Sequence, residues 1–183
     1  MELKRITHAE NVRLSDSGRA VRILDQSRLP NETGYLELSQ AEDLYEAIAS
    51  LRVRGAPAIG IFAGYALYVL ALQSQETQYG PFLEACRRNR DYLNSSRPTA
   101  VNLRHMLDRV LAVAESMPCA DVPSIQAAMG QAARAIHQED IAMCTAISEY
   151  GLSLVKAGDG ILTHCNAGPL ATSRYGTAIG PML

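Results

Sequence analysis

Gly160-Ile161-Leu162-Thr163-His164-Cys165-Asn166-Ala167-Gly168-Pro169-Leu170-Ala171-Thr172, near the end of the chain, carries the strongest α/β signal in the sequence. Four residues with strand character, Ile161 to His164, follow the turn residues Ala157-Gly158-Asp159-Gly160 and lead into a run of small residues. The pattern predicts a short buried strand, then a turn and a helix, the opening unit of an α/β sheet. Ligands of such sheets collect at the carboxyl ends of the strands. Cys165 would stand at that point, facing a helix N-terminus whose field favours the thiolate. The backbone N–H groups of Asn166, Ala167 and Gly168 are candidates to hold an anion or a developing oxyanion. The competing reading of Cys165 is a small buried hydrophobe. His164 is no simple base for it, because successive strand residues point to opposite faces.

The same kind of signal occurs earlier, at Arg54-Gly55-Ala56-Pro57-Ala58-Ile59-Gly60. Pro57 and the preceding Gly55 mark a helix start. A cation, a permissive glycine and free helical N–H groups together make a phosphate cradle. The glycine spacing is not that of the dinucleotide fingerprint, and Arg54 can equally cap the preceding helix. The apolar run from Ala56 to Leu72 is shorter than the ~20 residues of a bilayer span and reads as a buried helix. Gly60 and Gly64, one turn apart, are suited to close helix packing. A third stretch, Ser95-Ser96-Arg97-Pro98-Thr99-Ala100-Val101-Asn102, breaks one helix and starts another. Proline keeps Arg97 extended, so this arginine either reaches into a pocket or is a solvated loop residue.

Outward from these stretches, Val12 to Leu24 reads as a β-hairpin turning at Ser15-Asp16-Ser17-Gly18, and Tyr35 to Leu38 as a further strand. Ser39 and Glu42 form a capping-box signature for a helix from about Gln40 to Arg52. Pro81 opens a helix to about Asn94, and another runs from Val101 to Ser116 or Met117, where Pro118 ends it. Asp121-Val122-Pro123 starts a long helix, ~30 residues, which ends by Lys156. On it His137, Glu139 and Asp140 read as a solvated face and not as a metal site. Cys86, Cys119 and Cys144 read as core. The fold class is α/β, mostly helical: a β-hairpin and helical domain over residues 1–120, then, over 121–183, the long helix and the opening strand and helix of an incomplete Rossmann-like domain.

Composition narrows the function. The chain has 183 residues, 48 % of them hydrophobic and 20 % charged, as expected of a soluble globular protein. A net charge of −2 gives no reason to expect a nucleic-acid or anionic membrane partner. Met1-Glu2-Leu3-Lys4-Arg5 lacks the apolar core of a signal peptide. The four cysteines have neither zinc-site nor disulfide-framework spacing, which points to a reducing cytoplasm.

Four blocks occur in order: Leu24-Asp25-Gln26-Ser27-Arg28-Leu29-Pro30, Arg52-Val53-Arg54-Gly55-Ala56-Pro57-Ala58-Ile59-Gly60, Ser96-Arg97-Pro98-Thr99-Ala100-Val101-Asn102-Leu103 and Leu162-Thr163-His164-Cys165-Asn166-Ala167-Gly168. Ala135-Ile136-His137-Gln138-Glu139-Asp140 lies between the last two. Together they resemble the 5-methylthioribose-1-phosphate isomerase family of methionine salvage, over essentially the whole chain. The resemblance implies aldose–ketose isomerisation of a sugar phosphate, no metal and no organic cofactor, a Rossmann-like C-terminal domain, a homodimer and a cytoplasmic location. It implies substrate binding by Arg54, Gly55, Ala56 and Arg97, with Cys165 as the active-site cysteine. It also implies continuation beyond Leu183, where the family's catalytic aspartate, a substrate-contacting glutamine and an Asn-Lys pair lie. The expectation is therefore little or no turnover from these 183 residues alone. Two related readings are a regulatory subunit of the translation-initiation exchange factor, which is a scaffold, and ribose-1,5-bisphosphate isomerase.

Overall fold

A computed structural model describes residues 10–183. The Met1–Arg5 segment read above lies outside the described residues. The elements run β1 (Val12–Leu14), β2 (Val21–Leu24), a 3-10 turn (Gln26–Arg28), β3 (Tyr35–Leu38), α1 (Ala41–Ala49), α2 (Ala56–Gln73), α3 (Tyr79–Ser95), α4 (Val101–Glu115), α5 (Val122–Leu152) and a 3-10 turn (Gly180–Met182).

Helix α2 is the hub. It is apolar all round, and thirteen of its eighteen residues are buried, the pattern of a helix with protein on every side. By length and hydropathy it would span a bilayer, but its surface is covered by the rest of the fold. Its two glycines set the spacing to its neighbours. A Cβ on Gly60 would lie 3.0 Å from Met106 of α4, and one on Gly64 would lie 3.2 Å from Ile136 of α5. Both helices therefore approach α2 more closely than a larger residue would permit. Phe62, Leu67, Leu103, Leu107, Val110, Ile125 and Met129 fill the layer between them.

The hairpin is present and β3 completes an antiparallel sheet in the order β1-β2-β3, with Val12 opposite Ile23 and Ile23 opposite Leu36. Val12, Val21 and Ile23 are fully buried in the same core as α2, while Arg13 and Arg22 alternate away from it. Helix α5 begins as the sequence indicates, with the Asp121 side chain accepting from the Ser124 N–H at 2.7 Å. The expected division at residue 121 thus falls on this cap, yet Val122, Ile125, Met129, Ala133 and Ile136 share the core of the N-terminal part.

Four expectations are corrected. Ile161–His164 is an exposed segment without strand pairing. A strand satisfies its N–H and C=O groups through a neighbouring strand, and none of the described residues lies alongside. No α-helix follows Cys165; residues 166–179 form a series of turns. Ser39 does not cap α1: Gln40 is the N-cap and makes no side-chain cap bond, while the Ser39 carbonyl accepts from Gln73 at the end of α2. Finally, Cys119, in the turn between α4 and α5, is exposed, whereas Cys86 and Cys144 are buried as expected.

Candidate functional site

The residues that begin α2 and α4 meet in a cleft of about 350 Å³, lined by Gly55, Ala56 and Ile59 from one side and Arg97, Thr99, Ala100, Val101, Asn102 and Leu103 from the other. Two helix N-termini close together follow from the packing of α2 on α4, with Asn102 beside Gly60.

Their electrostatic roles differ. The first turn of a helix has N–H groups without intrahelical acceptors. On α2, Pro57 has no N–H, and the Ala58 N–H donates to the carbonyl of Ala171 at 3.0 Å. Of that first turn, this leaves the Ala56 N–H for the cradle read from Arg54-Gly55-Ala56. On α4 the N-cap is Ala100, which has no side chain to offer, and the first acceptance by Ala100 comes only from Arg104. Val101, Asn102 and Leu103 line the cleft at this uncapped end, which favours an anion. The sequence has a helix start here and an arginine just before it, the same signal as at Gly55, and Arg97 was read as a pocket arginine, but the free N–H groups of this helix start were not read as an anion position.

Arg97 is half-buried on the cleft wall. Asp108 of α4 is engaged with Arg90 and Arg104, and among the described residues Arg97 has no carboxylate partner. Thr99 adds a hydroxyl. The cleft therefore offers a guanidinium, a hydroxyl and a helix start on one side and close-approaching backbone on the other.

Gly55 makes that close approach possible. Its φ is 101°, outside the range of ordinary L-residues. A Cβ there would lie 2.5 Å from both Cα and Cβ of Ala171. The turn is held from behind by Asp25, a fully buried carboxylate that accepts from Arg52 at 2.6 Å and from the Ser27 hydroxyl at 2.6 Å. Burial would raise the Asp25 pKa, but the bonds from Ser27 and Arg52 outweigh it and hold the carboxyl below its usual range. The Gln26 N–H donates to the Arg52 carbonyl at 3.0 Å.

The other candidate residues lie apart from the lining. Arg54 is exposed. Cys165 is exposed, with a left-handed φ of 65°. The Gly168 N–H is turned toward the Asn166 side chain at 3.4 Å. Their segment is tied to the site a few residues on, where Ala171 abuts Gly55.

The supposed solvated face on α5 is also different. Asp140 is buried, and His137 Nδ1 lies 2.9 Å from the Tyr65 hydroxyl of α2. Burial lowers the His137 pKa, against Asp140 and Glu10, which raise it. Glu139 is exposed and pairs with Arg109. Among the described residues no cluster suits a metal ion.

A mostly helical domain with a three-stranded antiparallel sheet and a cleft between two helix starts is the class these features define. The initiation factor 2 subunit family matches residues 52–177, and the chain belongs to it. It is 49 % identical over 173 residues to a methylthioribose-1-phosphate isomerase of Symbiobacterium thermophilum, covering 94 % of this chain and 48 % of that protein. It is 45 % identical to a 5-deoxyribose 1-phosphate isomerase of Clostridium botulinum, covering 93 % of this chain and 49 % of that one. A crystal structure of 5-methylthioribose 1-phosphate isomerase from Pyrococcus horikoshii superposes with a TM-score of 0.86 at 35 % identity, over 93 % of this chain and 47 % of that one. The chain spans about half the length of the relatives it matches.

Proposed function

We propose that this chain carries the phosphate-binding part of a cytoplasmic aldose–ketose isomerase acting on a pentose 1-phosphate. The observation that carries the reading is the cleft, where Arg97, Thr99 and the uncapped start of α4 face Gly55 and Ala56. The names of the clostridial relative and of the Pyrococcus structure share a 1-phosphate on a ribose altered at position 5. 5-Methylthioribose 1-phosphate, converted to 5-methylthioribulose 1-phosphate, is the substrate the reading favours.

The chemistry requires a firm grip on the phosphate. Phosphate on the anomeric carbon prevents spontaneous ring opening, so an acid assists cleavage of the ring C–O bond. Hydrogen then moves from C2 to C1 and the ketose forms with no net change in composition. Anchoring the phosphate with Arg97 and the start of α4, against the close wall of Gly55 and Ala56, positions those carbons, and Arg54, next to that wall in the chain, is the further substrate-binding residue of this reading. Cys165 is assigned as the group that assists or stabilises the transition state, and the Asn166–Gly168 backbone as its support. The docking of its segment on the Gly55 turn supports that assignment. The catalytic acid, and the sheet neighbours that would complete a Rossmann-like second domain after residue 121, are assigned to the half of the relatives' length that this chain does not span.

Calorimetric titration of the 183-residue chain with 5-methylthioribose 1-phosphate tests the reading. Saturable binding is expected, and Arg97→Ala should weaken it by about 10- to 100-fold, the worth of one charge-assisted hydrogen bond of about 1.5–3 kcal/mol. Turnover by this chain alone should be slight. Absence of saturable binding, or indifference to Arg97, would refute the assignment. It would then favour a role as an initiation-factor-like subunit, in keeping with the family description.

A further inference from the structure

The turn at Pro169–Thr172 has almost no regular structure of its own, yet most of it is buried. Buried carbonyls need donors, and these come from the opposite end of the chain. Asn11 is 3 % exposed, and its Nδ2 lies 3.0 Å from the Pro169 carbonyl, 2.9 Å from that of Leu170 and 3.0 Å from that of Thr172. An amide has only two such hydrogens, so at least one is shared. Gln26 is 5 % exposed, and its Nε2 donates to the Leu170 carbonyl at 2.7 Å.

Both residues are held by their backbones. The Asn11 carbonyl accepts from the Leu24 N–H at 2.9 Å, which extends the β1–β2 pairing, and the Gln26 N–H is bonded to Arg52. Gln26 thus touches the strand of chain leading into Arg54-Gly55 and the turn that follows Cys165. On its other side, the turn supplies the carbonyl for Ala58 and sits against Gly55, which lines the cleft. Loss of the amides would leave three buried carbonyls without donors and free the wall behind Gly55.

We infer that Asn11 and Gln26 are positioning residues of the anion site: their side-chain amides clamp the Pro169–Thr172 turn onto Gly55 and so fix both the cleft wall and the base of the Cys165 segment. The inference rests on the sugar-phosphate reading for its effect on binding, and on the geometry alone for the clamp.

Site-resolved amide exchange by NMR, with the sugar-phosphate titration, separates the two. Asn11→Asp keeps the shape and removes both donors; Gln26→Met keeps the volume and removes one donor without adding charge. Each should speed exchange of the Ala58 amide by about tenfold or more. Core amides of Leu107 and Val110 should be unchanged, and sugar-phosphate affinity should fall several-fold. Arg97→Ala should do the reverse, costing affinity with Ala58 protection intact. If Asn11→Asp does not fold, Gln26→Met decides. Unchanged Ala58 exchange, or faster exchange with full affinity, overturns the inference. Should the parent chain bind no sugar phosphate, the functional reading falls separately and the Ala58 amide still decides the clamp.

Discussion

Gly55→Ala is the sharpest test of how the site is built. The methyl group meets two obstacles. At φ 101° and ψ 133° the backbone is in a region costly for any residue with a Cβ, about 1–3 kcal/mol. The Cβ would also lie 2.5 Å from Cα and Cβ of Ala171 and 2.8 Å from its carbonyl oxygen, which are backbone-anchored and not free to rotate aside. The only relief is retreat of the Pro169–Thr172 turn. That gives up the Ala58–Ala171 bond and the bonds from Asn11 and Gln26, each worth about 0.5–1.5 kcal/mol. Whichever route is cheaper, a loss of about 3–5 kcal/mol is expected. For a chain of this size that lowers Tm by about 10 °C or more.

The assay is urea denaturation, with Gly80→Ala as the matched control. A Cβ at Gly80 meets nothing within 4 Å, and Gly80 lies in the first turn of α3 just before Pro81, where the gain in helix propensity is offset by proline's restriction of the residue before it, so that substitution should change stability by less than about 1 kcal/mol. Undocking of the turn without global unfolding would appear as lost protection at Ala58 and a smaller shift in midpoint. A Gly55→Ala protein within about 1 kcal/mol of the parent, with Ala58 still protected, would refute the contact between Gly55 and Ala171 as the determinant of the cleft wall.

Three further outcomes are expected. In native protein at pH 8, a thiol reagent should modify Cys119 and Cys165 quickly, and Cys86 and Cys144 only on unfolding, since the latter are buried and burial pushes Cys86 up to about 11; rapid reaction of all four would refute the packing around α3 and α5. His137 has a lowered pKa in the folded protein, so the unfolded chain takes up protons first as pH falls, and stability should drop as pH falls below about 6.5 and level off below the folded value; His137→Gln should flatten that limb in pH-dependent denaturation, and an unchanged limb would contradict the burial against Tyr65. Asp25 has a lowered pKa, so its contribution should be complete at neutral pH and lost as pH falls through the carboxylate range to the folded value; Asp25→Asn should destabilise at pH 7 and shrink the acid limb, and equal slopes would argue against the Arg52 pair.

Much of the helical part was legible because its signals are local. Helix α2 declared itself by apolar residues on every side, and α5 by Asp121 followed by Pro123, both of which act within one turn. Tertiary contacts decided the rest. Ser39 carries a capping-box signature, but it directly follows β3 and its carbonyl is taken by Gln73, so the chain enters α1 one residue later. His137 and Asp140 looked like a polar face, yet Ile136, Asp140 and Cys144 fall at helical spacing on one side of α5. A polar residue in such a stripe needs a buried partner, which Tyr65 supplies for His137 from a position 72 residues away in sequence. Nothing near Asn11 in the sequence announces that its amide serves carbonyls 158 to 161 residues on.

The segment before Cys165 shows where residue types stop being informative. Ile161 and Leu162 have the composition of a buried strand, but a strand is a relation between two segments, and its hydrogen bonds belong to the pair. Without a neighbour among the described residues the same side chains are exposed, Leu162 at 98 %. The cleft obeys the same logic. Two stretches, Arg54-Gly55-Ala56 and Arg97-Pro98-Thr99, carry the same signal of a cation before a helix start. Packing distinguishes them: the Ala171 carbonyl takes the Ala58 N–H at the first helix end, and the second faces the cleft without a side-chain cap. The proposed anion site is therefore placed at α4, with Gly55 as the close wall, because the Ala171 backbone carbonyl already holds the Ala58 N–H of α2.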